Sequence, residues 1–330
     1  MSYKHTQNSF DYFTNINYNI DLSTYVYHIC IRYGKQNTSR YCFSKKLNDI
    51  ATIRKENGNV YLDKPNINEK GFKIMLLTDL HTTFDQKLLK WTMAGIFGNI
   101  KREKPDLVII NGDINDYLTT NKRIHTFARI FEKFGVPWGI SLGNHDGEYD
   151  ISLSRETLIR SLLSYQHCIM TSSPYDIYGY SNYAVHITNG TNVIRSLIVL
   201  DSGSYISSKN AKKYKVSKKS YDFIKKSQID FYEKIVTQQK IENNGIIVPS
   251  ALVFHIPIPE YKDGYKYGKI NYGKLREKVF SSEHNSGLFD AVLRIGSTDN
   301  IYVGHDHSND YSVEYKGVNL TLLKIRILSF

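Results

Sequence analysis

The stretch Phe72-Lys73-Ile74-Met75-Leu76-Leu77-Thr78-Asp79-Leu80-His81 runs a short apolar segment directly into an acid and a histidine two residues apart. A run this short, bounded by Lys70-Gly71 on its other side, reads as a buried strand. The unit recurs: Leu107-Val108-Ile109-Ile110 leads into Gly112-Asp113-Ile114-Asn115-Asp116, and Trp138-Gly139-Ile140-Ser141 leads into Gly143-Asn144-His145-Asp146. Between the runs, Leu88, Leu89, Met93, Ile96, Phe97 and Ile100 recur at near-helical spacing and stop before Pro105. Ile124, Phe127, Ala128, Ile130, Phe131 and Phe134 do the same and stop at Gly135. Three strands alternating with two helices make βαβαβ, which implies a parallel core. Ligands in such sheets collect outside the carboxyl ends of the strands, where each of the three polar motifs falls.

Further along, His255 lies in an apolar stretch after Phe254, and Gly304-His305-Asp306-His307 follows another apolar run. Strand candidates in this half are Tyr183–Ile187, Leu197–Leu200, Leu252–His255, Ile301–Gly304, Tyr311–Tyr315 and Val318–Ile325, with a helical stretch from Tyr221 to Lys240. Strands outnumber helices here, so the expected fold is an α/β two-sheet sandwich flanked by helices, occupying residues 71–330. Residues 1–70 read as a small β-rich N-terminal segment, with a strand at Tyr25–Ile31 and a turn at Glu56–Val60.

Composition excludes more than it assigns. A hydrophobic content of 41% and a charged content of 23% describe an ordinary globular protein of 330 residues. The three cysteines, Cys30, Cys42 and Cys168, are odd in number and lack metal-type spacing, which argues against a disulfide framework. No signal peptide is visible at the polar start and no apolar run is long enough to span a bilayer, so a cytoplasmic location is expected. The triplet Asn189-Gly190-Thr191 keeps a secretory reading open. A formal charge of +11 favours anionic partners. Between Lys209 and Lys226 lie eight lysines, with Tyr205, Tyr214 and Tyr221 nearby. That run reads first as a solvated loop leading into a helix, and second as a surface that gathers acidic substrates or nucleic acid.

Taken singly, the motif residues have bland explanations. Asp79 could cap a helix, Asn144 and the glycines Gly112 and Gly143 could serve turns, and His255 could be a satisfied core histidine. Together they offer carboxylate, amide and imidazole donors from several strand ends and no thiolate, the set that hard divalent ions require. Two ions held roughly 3.5 to 4 Å apart turn a bridging water into a nucleophile for phosphorus, so metal-assisted phosphoester hydrolysis is the reaction class implied.

Asp-x-His, Gly-Asp-x-x-Asp, Gly-Asn-His-Asp, a separate His and Gly-His-x-His, in this order over about residues 71 to 310, resemble the calcineurin-like metallophosphoesterases. The segments Asp176–Tyr183, Val199–Tyr205, Gln228–Tyr232 and Phe254–Tyr261 look like the purple-acid-phosphatase-like branch, which includes a yeast cell-cycle regulator phosphatase and related plant and bacterial enzymes. The resemblance implies one metal on Asp79, His81, Asp113 and His307, and a second on Asp113, Asn144, His255 and His305, with Asp113 as the bridge. It assigns His145 a role at the leaving oxygen and Asp116 the orientation of that histidine. True purple acid phosphatases place a tyrosine ligand where Asp116 stands, so a purple iron-tyrosinate colour is not expected. Mixed His, Asn and Asp ligation suits Mn, Fe or Zn. Asp146 and Asp306 are expected to support the loops from behind the ligands, and His125, His167, His186 and His284 to be structural.

Three functions follow from that chemistry: a phosphomonoesterase acting on a phosphoprotein or small phosphorylated metabolite, a phosphodiesterase or nuclease, and a non-catalytic binding module on the same fold. The end of the chain, Leu320 to Phe330, departs from the glycine- and tyrosine-rich strand turn of the resembling branch. An unpaired sheet edge and weakened folding are expected there, and an unfolding midpoint as high as that of intact relatives would contradict this.

Overall fold

The computed structural model describes residues 50–56, 59–82, 86–114, 122–148, 154–323 and 326–329. The expected strand at Tyr25–Ile31 and part of the expected turn at Glu56–Val60 lie outside the described residues. The βαβαβ unit forms as β3 (Lys73–Leu77), α2 (Gln86–Glu103), β4 (Leu107–Asn111), α3 (Lys122–Phe134) and β5 (Trp138–Ser141), after β1 (Thr52–Glu56), β2 (Asn59–Asp63) and a single helical turn α1 (Ile67–Lys70). β4 pairs parallel with both β3 and β5. Helix α2 stops because Lys104 enters the left-handed region at φ 49° ahead of Pro105, its N–H closing on the Ile100 carbonyl at 2.9 Å. Helix α3 stops at Gly135, φ 67°, for the same reason.

The remaining chain supplies α4 (Arg155–Leu162), β6 (Tyr183–Thr188), β7 (Val193–Val199), α5 (Ser208–Tyr214), α6 (Lys226–Glu242), β8 (Ser250–Val253), α7 (Glu260–Tyr267), β9 (Lys269–Lys274), α8 (Leu288–Ile295), β10 (Thr298–Val303), β11 (Asp310–Tyr315), β12 (Val318–Leu322) and β13 (Arg326–Ser329). Two sheets result, a nine-stranded one ordered β1-β2-β6-β7-β8-β10-β12-β11-β9 and a four-stranded one ordered β13-β3-β4-β5.

Strand periodicity shows how the sheets stack. Leu197, Val199, Ala251, Val253 and Tyr302 join a core with Ile74, Leu76, Val108 and Ile110 of the small sheet. Their neighbours Ile198, Leu252, Ile301 and Val303 point the other way, onto Ile229, Tyr232 and Val236 of α6 and Phe289 and Val292 of α8. The centre of the large sheet is therefore buried on both faces, over Leu197–Val199, Ala251–Val253 and Ile301–Val303. Among the described residues, no helix is long and apolar enough to cross a membrane.

Several sequence expectations shift. The helix expected from Tyr221 begins only at Lys226, where the Gln228 side chain accepts the Lys225 N–H at 2.8 Å and sets the first turn. The strand expected over Val318–Ile325 ends at Leu322, and Arg326–Ser329 then pairs antiparallel with β3, covering the edge of the small sheet. Strand β9 was not expected; it is an exposed edge strand with little apolar signal, attached to β11 by register alone.

Among the described residues, the four histidines outside the motifs pack as structural groups. His125 meets Tyr165 and Ser161, His167 meets Glu132, and His284 packs on the rings of Tyr214 and Phe223. His186, 1% exposed, meets Ser196 Oγ at 2.9 Å, and burial depresses its pKa from 6.5 to about 4. As pH falls below 6.5 the unfolded chain takes up this proton before the folded one does. The contribution of neutral His186 is therefore complete above about 6.5 and lost toward about 4, at up to about 1.4 kcal/mol per pH unit. His186→Gln should flatten that part of the stability profile in urea unfolding at pH 7, 6 and 5; an unchanged slope would show that His186 does not titrate this way.

Candidate metal centre

Five loops meet at one end of the sandwich because β3, β4 and β5 run parallel in one sheet and β8 and β10 run parallel in the other. The loop after β3 carries Asp79 and His81, the loop after β4 Asp113, and the loop after β5 Asn144 and His145; His255 follows β8, and His305 and His307 follow β10. The backbone is bent to aim them. Asp79, His81, Asp113 and His305 all lie at positive φ, 53°, 39°, 51° and 77°, a conformation that costs on the order of 1–3 kcal/mol per non-glycine residue. The loops brace one another, with Asp79 N–H bonded to the Gly112 carbonyl at 3.1 Å and His81 N–H to the Asp113 carbonyl at 3.0 Å.

The glycines of the motifs are spacers. A Cβ on Gly112 would sit 2.4 Å from His255 Nδ1, one on Gly143 2.2 Å from Asp113 Oδ1, and one on Gly304 2.0 Å from Thr78 Oγ1. Without the hydrogen side chain the loops could not close to ligand distance.

Donor atoms of Asp79, His81, Asp113 and His307 lie within 4.8 Å of one another, as do those of Asp113, His255 and His305, so Asp113 belongs to both groups. His255 Nε2 is 3.0 Å from Asp113 Oδ2 and 3.9 Å from Asp79 Oδ1, while His307 Nε2 is 3.4 Å from Asp79 Oδ1. His81 Nε2 and His307 Nε2 approach to 2.9 Å, two ring nitrogens converging on one point. Asp113 Oδ1 accepts the His145 N–H at 2.9 Å, which leaves Oδ2 for the cluster.

His255 Nδ1 faces the Asn111 carbonyl at 2.7 Å, so Nδ1 carries a hydrogen and Nε2 points inward, 3.0 Å from Asp113 Oδ2. Behind the cluster, Asn144 Oδ1 and Nδ2 and both ring nitrogens of His305 are buried with no hydrogen-bond partner. Buried polar atoms are normally paired, and a set of them facing two carboxylates fits a cation. The donors fit a metal pair on this test: oxygens and imidazoles, two groups, one shared carboxylate.

The electrostatics agree. Burial alone would raise the pKa of Asp79, but His255, His307 and His81 hold it well below the carboxylate range. Asp113 is likewise lowered against its burial by His255. Burial opposes the charge on His255, yet Asp113 and Asp79 lift it to about 10. His305, buried beside His255, is depressed to about 3. A buried and a part-buried carboxylate attract whatever positive charge can reach them.

Supporting residues hold this cluster. Asp146 accepts the N–H groups of Asp113 at 2.9 Å, Ile114 at 3.0 Å and Gly143 at 2.8 Å, tying the loops after β4 and β5 together. Asp306 accepts from Phe280 N–H and Asn309 Nδ2, and its own burial raises it to about 6. Arg155, which the sequence did not single out, binds the Gly143 and Asp146 carbonyls and Asp201 Oδ1 at 2.6, 3.0 and 2.6 Å. Asn182 Oδ1 accepts from Asp201 N–H and Gln228 Nε2, so three of the four branch-like segments quoted from the sequence form one buried network. Asp116 lies outside the described residues. His145 Nδ1 meets Glu148 Oε2 at 2.8 Å, a partner that the motif pattern did not point to. A cleft of about 620 Å³, lined by Arg160, Tyr175, Tyr178 and Tyr180, adjoins the centre through Ser204 and Tyr205.

Residues 72–309 match the family described as calcineurin-like phosphoesterase. The chain is 29% identical to the probable inactive purple acid phosphatase 14 of Arabidopsis thaliana, over 76% of this chain and 69% of that protein. It is 32% identical to phosphatase DCR2 of Saccharomyces cerevisiae, over 74% of this chain and 45% of that protein. It spans 59% of a further Arabidopsis relative, so these proteins are substantially longer than the aligned region. A solved structure of a dimetal phosphatase from Danio rerio superposes with a TM-score of 0.51 at 15% identity, covering 77% of this chain and 87% of that one; at that identity the fold is what is shared.

Replacing Asp146 by Ala should leave three buried N–H groups unpaired and cost on the order of 3 kcal/mol or more. Urea unfolding measures it, and a loss under about 0.5 kcal/mol, the range of an ordinary surface substitution, would contradict the clamp.

Proposed function

The chain belongs to the calcineurin-like phosphoesterase family, and from that premise we propose that it is a two-metal phosphomonoesterase acting on a phosphoprotein or a small phosphorylated metabolite. The observation that carries the reading is Asp113, whose carboxylate is common to two groups of potential ligands and is backed by buried, unpartnered donors of Asn144 and His305. Asp79, His81, Asp113 and His307 would hold one ion, and Asp113, Asn144, His255 and His305 the other. When bound, such a pair supplies an activated water and neutralises the charge on the phosphoryl oxygens.

The chain's own groups do the rest. The Asn111 carbonyl keeps a His255 proton on Nδ1, so that ring stays oriented with Nε2 inward. Glu148 engages His145 Nδ1 and orients the ring, which as an imidazolium would give a proton or hydrogen bond from Nε2 to the departing oxygen. Asp116, from its motif position, is assigned to the same histidine. The positive-φ backbone at Asp79, Asp113 and His305 stores the loops in ligand geometry before substrate arrives.

The test is hydrolysis of p-nitrophenyl phosphate and of its bis-ester by metal-stripped and Mn²⁺-reconstituted protein. Monoester turnover should depend on the metal and vanish in Asp113→Asn. His145→Asn should lose on the order of 10² to 10⁴ in kcat, and Glu148→Gln a smaller factor. Preference for the bis-ester would move the assignment to a diesterase, and inertness of folded, metal-loaded protein would leave a binding module.

A further inference from the structure

Between Gly203 and Tyr221 the chain carries Lys209, Lys212, Lys213, Lys215, Lys218 and Lys219 and no aspartate or glutamate, against a net formal charge of +11 for the whole protein. The segment is a flap closed at its base. Ile206 N–H bonds the Ser220 carbonyl at 3.1 Å, Asp222 N–H bonds the Ser204 carbonyl at 2.9 Å, and Tyr205 stacks on Tyr221 with centroids 5.3 Å apart. That base rests on the candidate metal centre: Ser204 Oγ donates to the Asn144 carbonyl at 2.9 Å, and the Tyr221 ring meets His305 edge-on at 4.4 Å. All six lysines are exposed. Lys225 and Lys226, just beyond the flap, are paired with Asp222 and Asp230; among the described residues the six in the flap have no such carboxylate, and Glu283 beside it is engaged by the Ser217 N–H at 2.8 Å.

On helix α5, Lys209, Lys212 and Lys213 stand at i, i+3 and i+4 and so share a face. Like charges at this spacing repel, and the first turn holds no acid to offset Lys209 against the helix dipole. Six like charges on a flap whose base touches the candidate metal centre set up a positive field beside it. We propose that the flap binds further phosphate groups of the substrate, so that the preferred substrate is a peptide carrying several phosphates, one at the metal centre and the others on the lysines. This rests on the phosphomonoesterase reading above.

The experiment compares p-nitrophenyl phosphate, a singly phosphorylated serine peptide and the same peptide with three added phosphoserines, from low salt to 300 mM. The wild type should prefer the multiply phosphorylated peptide by roughly tenfold or more in kcat/KM at low salt, with the preference shrinking as salt rises. The triple variant Lys209→Ala, Lys212→Ala, Lys213→Ala should lose that preference and its salt dependence while turning over p-nitrophenyl phosphate as before. Equal turnover of both peptides by the wild type, or a preference that survives the triple substitution, overturns the flap proposal and leaves the phosphatase reading standing. Should no monoester be hydrolysed, calorimetry with inorganic tripolyphosphate decides: binding weakened in the triple variant supports the flap, and equal or absent binding overturns it. Tighter, lysine-dependent capture of duplex DNA than of the peptide also overturns it.

Discussion

Two carboxylates, buried Asp113 and part-buried Asp79, face one small volume, and the architecture around them answers their mutual repulsion. Ionised acids out of water are costly unless opposite charge and hydrogen bonds surround them. Here the Asp113 carboxylate takes the His145 N–H on one oxygen and His255 on the other, and Asp79 takes the His305 N–H together with the rings of His81 and His307. The same carboxylates and imidazoles form the two candidate ligand groups that share Asp113. Where carboxylates, imidazoles and an unpartnered amide converge, a metal pair is the compensation that also does chemistry.

Holding the acids together falls to residues that touch no substrate. Asp146 gathers three N–H groups from two loops, and Arg155 ties one of those loops to Asp201. Arg155 and Asp201 are both withdrawn from solvent, so removing either partner leaves an uncompensated buried charge, worth on the order of 3–5 kcal/mol. The loops are pinned from behind by polar clamps and in front by glycines whose missing side chains let His255 and Asp113 approach. Rigidity and reach are supplied by different residues.

The large sheet makes the placement possible. It is sandwiched between the small sheet and helices α6 and α8, so its strands cannot slip register without moving apolar side chains to the wrong layer. A fixed register delivers His255 at the end of β8 and His305 at the end of β10 to the same edge as the loops of the small sheet. Beside that edge, Tyr205 both lines the tyrosine-rich cleft and stacks on Tyr221 at the base of the lysine flap.

What the sequence determined by itself was whatever is encoded locally. The βαβαβ segments were legible because apolar runs, helical spacing and the stops at Pro105 and Gly135 act within a few residues, and the motif residues were legible because strand ends place them. Only the tertiary structure decided the rest. Glu148 meets His145 through a turn conformation that no spacing rule encodes, and Arg155 reaches Asp201 across 46 positions. The network of Asn182, Asp201 and Gln228 was visible as three separate motifs, but its closure depends on the packing of α6 against the sheet. Strand β9 carries almost no apolar pattern of its own and exists because β11 offers it a partner. Local preferences are read from neighbours in the chain, whereas burial, long-range pairing and charge compensation depend on neighbours in space.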